Sequence, residues 1–199
     1  MQPALKLDLI EARRGAAPVL GPLSLDVYPG ETVAITGASG IGKTTLLRIL
    51  AGLHDRWRGS LDLPGRVAMV FQEPTLLPWR TALENITLVA LCSEAEALAA
   101  LRDVDLEGKA RSYPGALSLG QQRRLALARA FARQPQVLLM DEAFVSLDPA
   151  LADEMMSLFE RLRQSRPLAT VMVTHVAEEA ARLATRTLRL QGQPAVLAA

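Results

Sequence analysis

The chain has 199 residues, with 22 Lys+Arg against 21 Asp+Glu and a formal net charge of +1. Half of its residues are hydrophobic and 22% are charged, the composition of a folded globular chain rather than a disordered one. Near-neutral charge removes the electrostatic case for a dedicated nucleic-acid binder, and the single cysteine, Cys92, excludes a disulfide framework or a cysteine-rich zinc site. The opening residues carry no basic stretch followed by an apolar one, so no secretory signal is expected. The best apolar run, Ile86 to Cys92, ends at Ser93-Glu94, far short of the roughly 18–20 residues a membrane span needs. A soluble chain is expected.

In chain order, Leu5, Leu7 and Leu9 alternate with Lys6 and Asp8, the period of a half-buried strand, and Leu23, Leu25 and Val27 repeat it. Arg13-Arg14-Gly15 between them reads as a turn. Thr32 to Thr36 is a β-branched strand, and Lys43 to Leu53 a helix with Leu46, Leu47, Leu50 and Leu53 on one face. Arg66 to Phe71 reads as a strand, Thr81 to about Leu101 as mostly helix, and Ser112 to Gly120 as a loop. Then come a helix over Gln121 to Arg133, a buried strand over Val137 to Met140, and a helix over Pro149 to Arg163. A strand over Ala169 to Thr174, a helix over Val176 to Leu183 and a last strand over Thr185 to Leu190 complete the pattern. The alternation after residue 30 favours an α/β core with parallel strands.

Gly37-Ala38-Ser39-Gly40-Ile41-Gly42-Lys43-Thr44 matches G-x-x-x-x-G-K-[ST] between a strand and a helix, the required context for a phosphate loop. Glycines let backbone N–H groups approach phosphate oxygens, and the helix start adds its positive end. Residues 37–44, with Thr45 following, are the expected nucleotide cradle; Lys43 reaches the β- and γ-phosphates and the Thr44 hydroxyl ligates Mg²⁺. Lys43 is one of only three lysines, with Lys6 and Lys109. Downstream, Val137-Leu138-Leu139-Met140-Asp141-Glu142 is an apolar strand ending in two carboxylates, where ligands bind in open α/β sheets. Asp141 is expected to hold Mg²⁺ through a water, and Glu142 to take a proton from the attacking water. No Asn-Lys-x-Asp guanine-reading motif occurs, which favours ATP.

Leu117-Ser118-Leu119-Gly120-Gln121-Gln122, followed by an arginine-rich helix and the acidic strand, resembles the signature of ABC-type ATPases. Gln72, Ser146-Leu147-Asp148 and His175 stand in the order of that family's remaining motifs, so the resemblance covers almost the entire chain. It implies an α/β P-loop NTPase fold with a mixed, mainly parallel core sheet, a small antiparallel β-subdomain and an inserted helical subdomain. It further implies a single domain with a nucleotide-binding core over residues 1–71 and 134–199, a helical subdomain over 72–133, and no C-terminal regulatory domain. The resemblance also implies that two such chains pair head to tail, each ATP lying between one copy's phosphate loop and the other's Ser118, Gly120 and Gln121. On the same resemblance, Gln72 would join Thr44 and Asp141 around Mg²⁺ and report nucleotide state to a membrane partner. It likewise implies that Asp148 couples the two sites and that His175 contacts the γ-phosphate and orients Glu142 and water.

The segment from Gln72 to Ile86 is similar to the one that receives a transporter's cytoplasmic coupling helix. Leu76-Leu77-Pro78-Trp79 resembles ATPases of nitrate, sulfonate and taurine importers, although Trp79 could equally be a core residue. The implied partners are a second ATPase subunit, transmembrane permease subunits docking near Gln72–Trp79 and a substrate-binding protein. The implied location is the cytoplasmic face of the cell membrane. Four features depart from the family pattern. Leu119 replaces a glycine, and Ala143 replaces a proline that often follows the glutamate. No aromatic lies between Lys6 and Leu20 to stack on adenine, a task left to the guanidinium of Arg14 or Arg13. The segment from Lys43 to Gln72 is short, so the antiparallel subdomain is expected to be trimmed. A soluble ABC ATPase of DNA repair or translation is the rival class; it usually shows duplicated domains, a coiled-coil insertion or a basic extension. An inactive nucleotide-binding subunit is the third reading.

Overall fold

In chain order the elements are β1 (Leu5–Arg14), β2 (Ala17–Leu20), β3 (Leu23–Val27), β4 (Thr32–Thr36), α1 (Lys43–Leu50), β5 (Trp57–Asp62) and β6 (Val67–Val70). After them come α2 (Ala82–Ala90), α3 (Glu94–Asp103), α4 (Leu119–Ala132), β7 (Val137–Asp141), α5 (Pro149–Arg163), β8 (Ala169–Val173), α6 (Ala177–Leu183), β9 (Arg186–Gln191) and β10 (Val196–Leu197). This is a computed structural model, and it describes residues 2–164 and 166–198. Two units emerge: Met1–Met69 with Gln136–Glu142 and Arg166–Ala199, and Val70–Pro135 with Ala143–Ser165.

The first unit is built on a six-stranded sheet of order β10-β9-β4-β8-β7-β6. Strands β9, β4, β8 and β7 run parallel, in a register that places Val171 of β8 beside Val33 of β4 and Leu139 of β7. Every residue of β8 is buried, as are the first four of β4 and of β7. Such unbroken apolar runs are what a parallel sheet covered on both faces demands. Leu46, Leu47, Ile49 and Leu50 of α1 join the same core cluster. The class is α/β with a mixed, mainly parallel sheet, as expected.

A second, antiparallel sheet has β1 at its centre, paired with β2, β3 and β5. The alternation of β1 changes phase once. Leu5, Leu7 and Leu9 are buried, then Ala12, because the register against β5 shifts between Leu9 and Glu11. That bulge leaves Ile10 57% exposed. Opposite it, Gly59 has φ +144, and a Cβ there would lie 2.2 Å from the Asp8 carbonyl oxygen, so only glycine fits. Although expected to be trimmed, this sheet retains four strands.

Several local expectations need correction. Helix α1 stops at Leu50, not Leu53. Gly52 (φ +70) sends its N–H to Ile49 O and Leu53 sends its N–H to Arg48 O, the paired bonds of a Schellman stop. Arg13 and Arg14 lie in β1, and the turn falls at Gly15-Ala16. The helix expected over Thr81–Leu101 is two helices. Leu91 caps α2 in the left-handed region (φ 54), and Ser93 and Glu96 form a capping box that starts α3 afresh.

The second unit holds α2, α3, α4 and α5. Each of α2, α3 and α4 begins with a capping box (Thr81/Glu84, Ser93/Glu96 and Ser118/Gln121), while Asp148 caps α5. The Phe159 ring of α5 meets Phe131 of α4 edge-on at 6.3 Å and Phe144 at the same distance. Helix α4 begins at Leu119, inside the segment expected to be loop, so Gly120 is helical. Among the described residues, no helix is long and apolar enough to cross a membrane.

Candidate functional site

Strand β4 leads straight into the glycine-rich loop, and α1 begins at Lys43. Gly37, Gly40 and Gly42 all have positive φ. At Gly42 the requirement is also steric, since a Cβ would sit 2.7 Å from Leu20 Cδ2 and 2.9 Å from Val19 Cγ1 of β2. The end of β2 therefore supports the base of the loop. Lys43 is 6% exposed, and its Nζ donates to the carbonyls of Gly37 and Ala38, both at 3.0 Å. Two of the ammonium's three donors thus close the loop on itself. Ala38, Ser39 and Gly40 are exposed at the loop's crest, and Thr45 is half-buried in the first turn of α1.

Two strands away, β7 ends at Asp141 and Glu142 follows it. Thr44 Oγ1 donates to Asp141 Oδ1 at 3.1 Å, which ties α1 to the end of β7. Burial raises the Asp141 carboxyl above its ordinary range, and the Glu142 charge adds to this. The Thr44 hydroxyl, Arg48 and Lys43 pull the other way. A hydroxyl and a desolvated carboxylate are hard oxygen donors. Mg²⁺ takes one or two such protein ligands and completes its shell with phosphate oxygens and water. The set fits that ion, and no group of three or more His, Cys, Asp or Glu among the described residues could hold a metal unaided.

Glu142 has φ 49, a left-handed conformation that costs a non-glycine residue about 1–3 kcal/mol and clusters at functional sites. Its N–H donates to Val173 O at 3.0 Å, so the strained turn is anchored to β8. Beyond β8, His175 Nδ1 lies 3.3 Å from Glu142 Oε1; the imidazole is 54% exposed and the carboxylate 22%. The carboxyl ends of three adjacent parallel strands, β4, β8 and β7, therefore carry the lysine loop, the histidine and the two carboxylates.

Arg14 is exposed at the last residue of β1, opposite Ala17 of β2. Arg13 is committed elsewhere, through Nη2 to Ala16 O at 2.8 Å and an ion pair with Glu11. His54 holds the same strand end, its Nε2 3.0 Å from Arg13 O, which is a packing role.

The remaining candidates lie in the second unit. Ser118 Oγ accepts the Gln121 N–H at 3.3 Å, and Gln121 Oε1 accepts the Ser118 N–H at 3.0 Å. Gln122 Nε2 donates to Pro114 O and Leu117 O, fixing the turn ahead of α4. A Cβ on Gly120 would come within 3.0 Å of Leu151 on α5, so its small size also serves helix packing. Leu119 is 50% exposed and turns outward. Asp148 Oδ1 accepts the Leu151 N–H at 3.1 Å as the cap of α5. Gln72 is exposed. Trp79, which the sequence left open between core and contact, is 69% exposed.

Two residues that sequence reasoning missed shape the segment after Gln72. Arg129 of α4 is 8% exposed and donates to Pro74 O and Thr75 O at 2.9 Å and to Thr75 Oγ1 at 3.0 Å. Asn85 of α2 is fully buried. Its Oδ1 accepts the Leu77 N–H at 2.7 Å, and its Nδ2 faces the carbonyls of Leu77, Arg80 and Thr81 at 3.0–3.1 Å. A buried asparagine inside an apolar helix face was the available signal.

Residues 20–145 match the family described as ABC transporter. The chain is 44% identical over 191 residues to the aliphatic sulfonates import ATP-binding protein SsuB of Granulibacter bethesdensis, covering 95% of this chain and 80% of that protein. It is 43% identical over 192 residues to SsuB 1 of Pseudomonas fluorescens, covering 96% and 74%. Among solved structures, a dimeric post-hydrolysis state of the ATP-binding cassette MJ0796 bound to ADP and Pi superposes with TM-score 0.82. The two are 28% identical, with 98% of this chain and 97% of that chain covered. The phosphate loop, the acidic end of β7 and the histidine after β8 thus stand in a chain that belongs to the ABC transporter family as an ATP-binding domain.

Proposed function

We propose that this chain is the ATP-hydrolysing subunit of a membrane importer and that it works as a pair of copies closing on ATP. The observation that carries the reading is the joint placement of Lys43, Thr44–Asp141 and Glu142–His175 at the ends of adjacent strands. Lys43 and the backbone donors of residues 37–45 bind the β- and γ-phosphates. Thr44, Asp141 and Gln72 would be the oxygen donors for Mg²⁺, which when bound would neutralise phosphate charge. Glu142 accepts the proton of the attacking water, and His175, in contact with it, orients the carboxylate and meets the γ-phosphate. Arg14 stacks on adenine in place of an aromatic.

Ser118, Gly120 and Gln121 of one copy face the nucleotide of the other, and Asp148 links the two sites. The Ser118 oxygen is occupied as acceptor inside the capping box, which leaves its hydroxyl proton for an anion. Closure therefore depends on the γ-phosphate, and hydrolysis removes the bridging charge. The sulfonate importers among the relatives support transport, and they make aliphatic sulfonates the first substrate class to test. Permease subunits dock on the exposed Gln72–Trp79 segment, at the cytoplasmic face of the membrane, with a substrate-binding protein on the far side. Within this scheme residues 1–199 act as one ATPase domain.

The test is Glu142→Gln. With Mg-ATP the variant binds nucleotide, loses turnover and accumulates as a dimer by size-exclusion chromatography with light scattering. A variant that hydrolyses ATP at the wild-type rate, or stays monomeric at high concentration, overturns the scheme. In proteoliposomes holding the cognate permease, ATP turnover stimulated by sulfonate-loaded binding protein tests the substrate class.

A further inference from the structure

One buried carboxylate beside the site has no part in the scheme above. Glu179, on α6 and four residues past His175, is 4% exposed. Its Oε2 accepts the Thr174 hydroxyl at 2.6 Å, and Thr174 Oγ1 in turn accepts the Val176 N–H at 3.0 Å. Thr174 is itself fully buried, and its N–H donates to Ile35 O of β4 at 3.3 Å. The residues on both sides of His175 are therefore tethered. Thr174 is bound through its backbone to the strand that feeds the phosphate loop, and through its hydroxyl to Val176 and Glu179.

The arrangement also resolves a problem of helix chemistry. Val176 occupies the N-cap of α6 and has no side chain able to cap. In a capping box the N3 carboxylate reaches directly back to the N-cap N–H. Here Glu179, the N3 residue, reaches it through the Thr174 hydroxyl, so the relay brackets the backbone of His175. An apolar residue at 179 would fill the same interior without desolvating a carboxylate, which is the cheaper solution for stability alone. Burial indeed pushes the Glu179 carboxyl above its ordinary range. The Thr174 hydroxyl and His175 pull it down, while Glu142 and Glu178 push it further up.

We propose that Glu179 is a positioning residue for His175: through Thr174 it fixes the backbone on both sides of the imidazole and holds Nδ1 against Glu142. The proposal rests on the assignment of His175 and Glu142 to ATP hydrolysis. A misplacement of about 1 Å in such a site costs up to roughly 100-fold in rate. Glu179 is buried and bonds to Thr174 rather than lining the phosphate loop, so its removal lowers kcat and leaves ATP affinity alone.

The experiment measures kcat with Mg-ATP and the Kd of a fluorescent ATP analogue on the full chain. Glu179→Ala and Thr174→Val each lower kcat on the order of 10- to 100-fold with Kd unchanged. Glu179→Gln and Thr174→Ser, which keep the acceptor and the hydroxyl, restore turnover. In a His175→Ala background, Glu179→Ala produces no further loss, because both substitutions act through the same imidazole. An equal fold-loss from Glu179→Ala in both backgrounds overturns the proposal, as does a parallel loss of ATP affinity. Where Glu179→Ala fails to fold by circular dichroism, the isosteric Thr174→Val carries the same comparison. Failure of the functional assignment reads differently: His175→Ala would then hydrolyse ATP at the wild-type rate.

Discussion

Replacing Asn85 with alanine is the sharpest test of how the segment after Gln72 is held. The side chain is fully buried and serves four backbone groups of the Leu77–Thr81 turn. Not all four are lost to the substitution. Leu77 O keeps the Arg80 N–H at 3.1 Å, and Thr81 O keeps the backbone N–H of residue 85 at 2.9 Å. The uncompensated groups are the Leu77 N–H and the Arg80 carbonyl. One stranded donor costs about 1–3 kcal/mol, and the second lost bond adds about 1 kcal/mol. Alanine returns roughly 0.5 kcal/mol through its higher helix propensity. The balance is a loss of about 1.5–3.5 kcal/mol, which for a chain of this size lowers Tm by roughly 3–14 °C. Thermal unfolding by circular dichroism measures the shift, and native-state hydrogen exchange at the Leu77 amide locates it. An unchanged Tm together with unchanged protection at Leu77 would refute the accounting, because it would mean the turn holds its shape without the amide.

Three further substitutions probe other parts of the structure. Gly59→Ala forces a Cβ against the Asp8 carbonyl oxygen in a backbone with φ +144; we expect a loss of about 2 kcal/mol or more, and a wild-type denaturation midpoint would contradict the β1–β5 register. Arg14→Ala weakens ATP binding about 3- to 5-fold, the worth of roughly 1 kcal/mol of stacking at an exposed site, whereas equal titration curves for the two proteins would remove Arg14 from the adenine site. Glu179 is raised above its ordinary 4.5, so its contribution to stability is fully present below that value and is lost as pH rises through the folded-state value. Glu179→Gln should therefore gain stability relative to wild type between acid and neutral pH, and a Tm difference that stays flat across that range would refute the sign.

Local sequence reached the elements whose reasons are local. The strand over Thr32–Thr36 and the helix over Pro149–Arg163 fall where the β-branched run and the Asp148-Pro149 start place them. The phosphate loop and the carboxylates ending β7 are contiguous motifs and were legible as such. Strand β5 was not, because residues Trp57–Asp62 show no buried alternation; this edge strand is held by its backbone pairing to β1. The break between α2 and α3 was written in the capping boxes Thr81/Glu84 and Ser93/Glu96, but the apolar pattern running across it hid the signal. Arg129 reaches a partner 54 residues earlier in the chain. No spacing rule connects the two, and only the packing of α4 makes the guanidinium a brace rather than a surface charge.

The bonds from Lys43 to Gly37 and Ala38 bear on how nucleotide arrives and leaves. A loop that already has its shape imposes little ordering entropy on its ligand, an expense that otherwise runs to about 1–2 kcal/mol per residue. In the proposed scheme, binding becomes an exchange in which the ammonium trades two carbonyl oxygens for phosphate oxygens. The same exchange runs backwards after hydrolysis. When product departs, the lysine has its former partners waiting, so the barrier to release does not include a bare charge stranded in the interior.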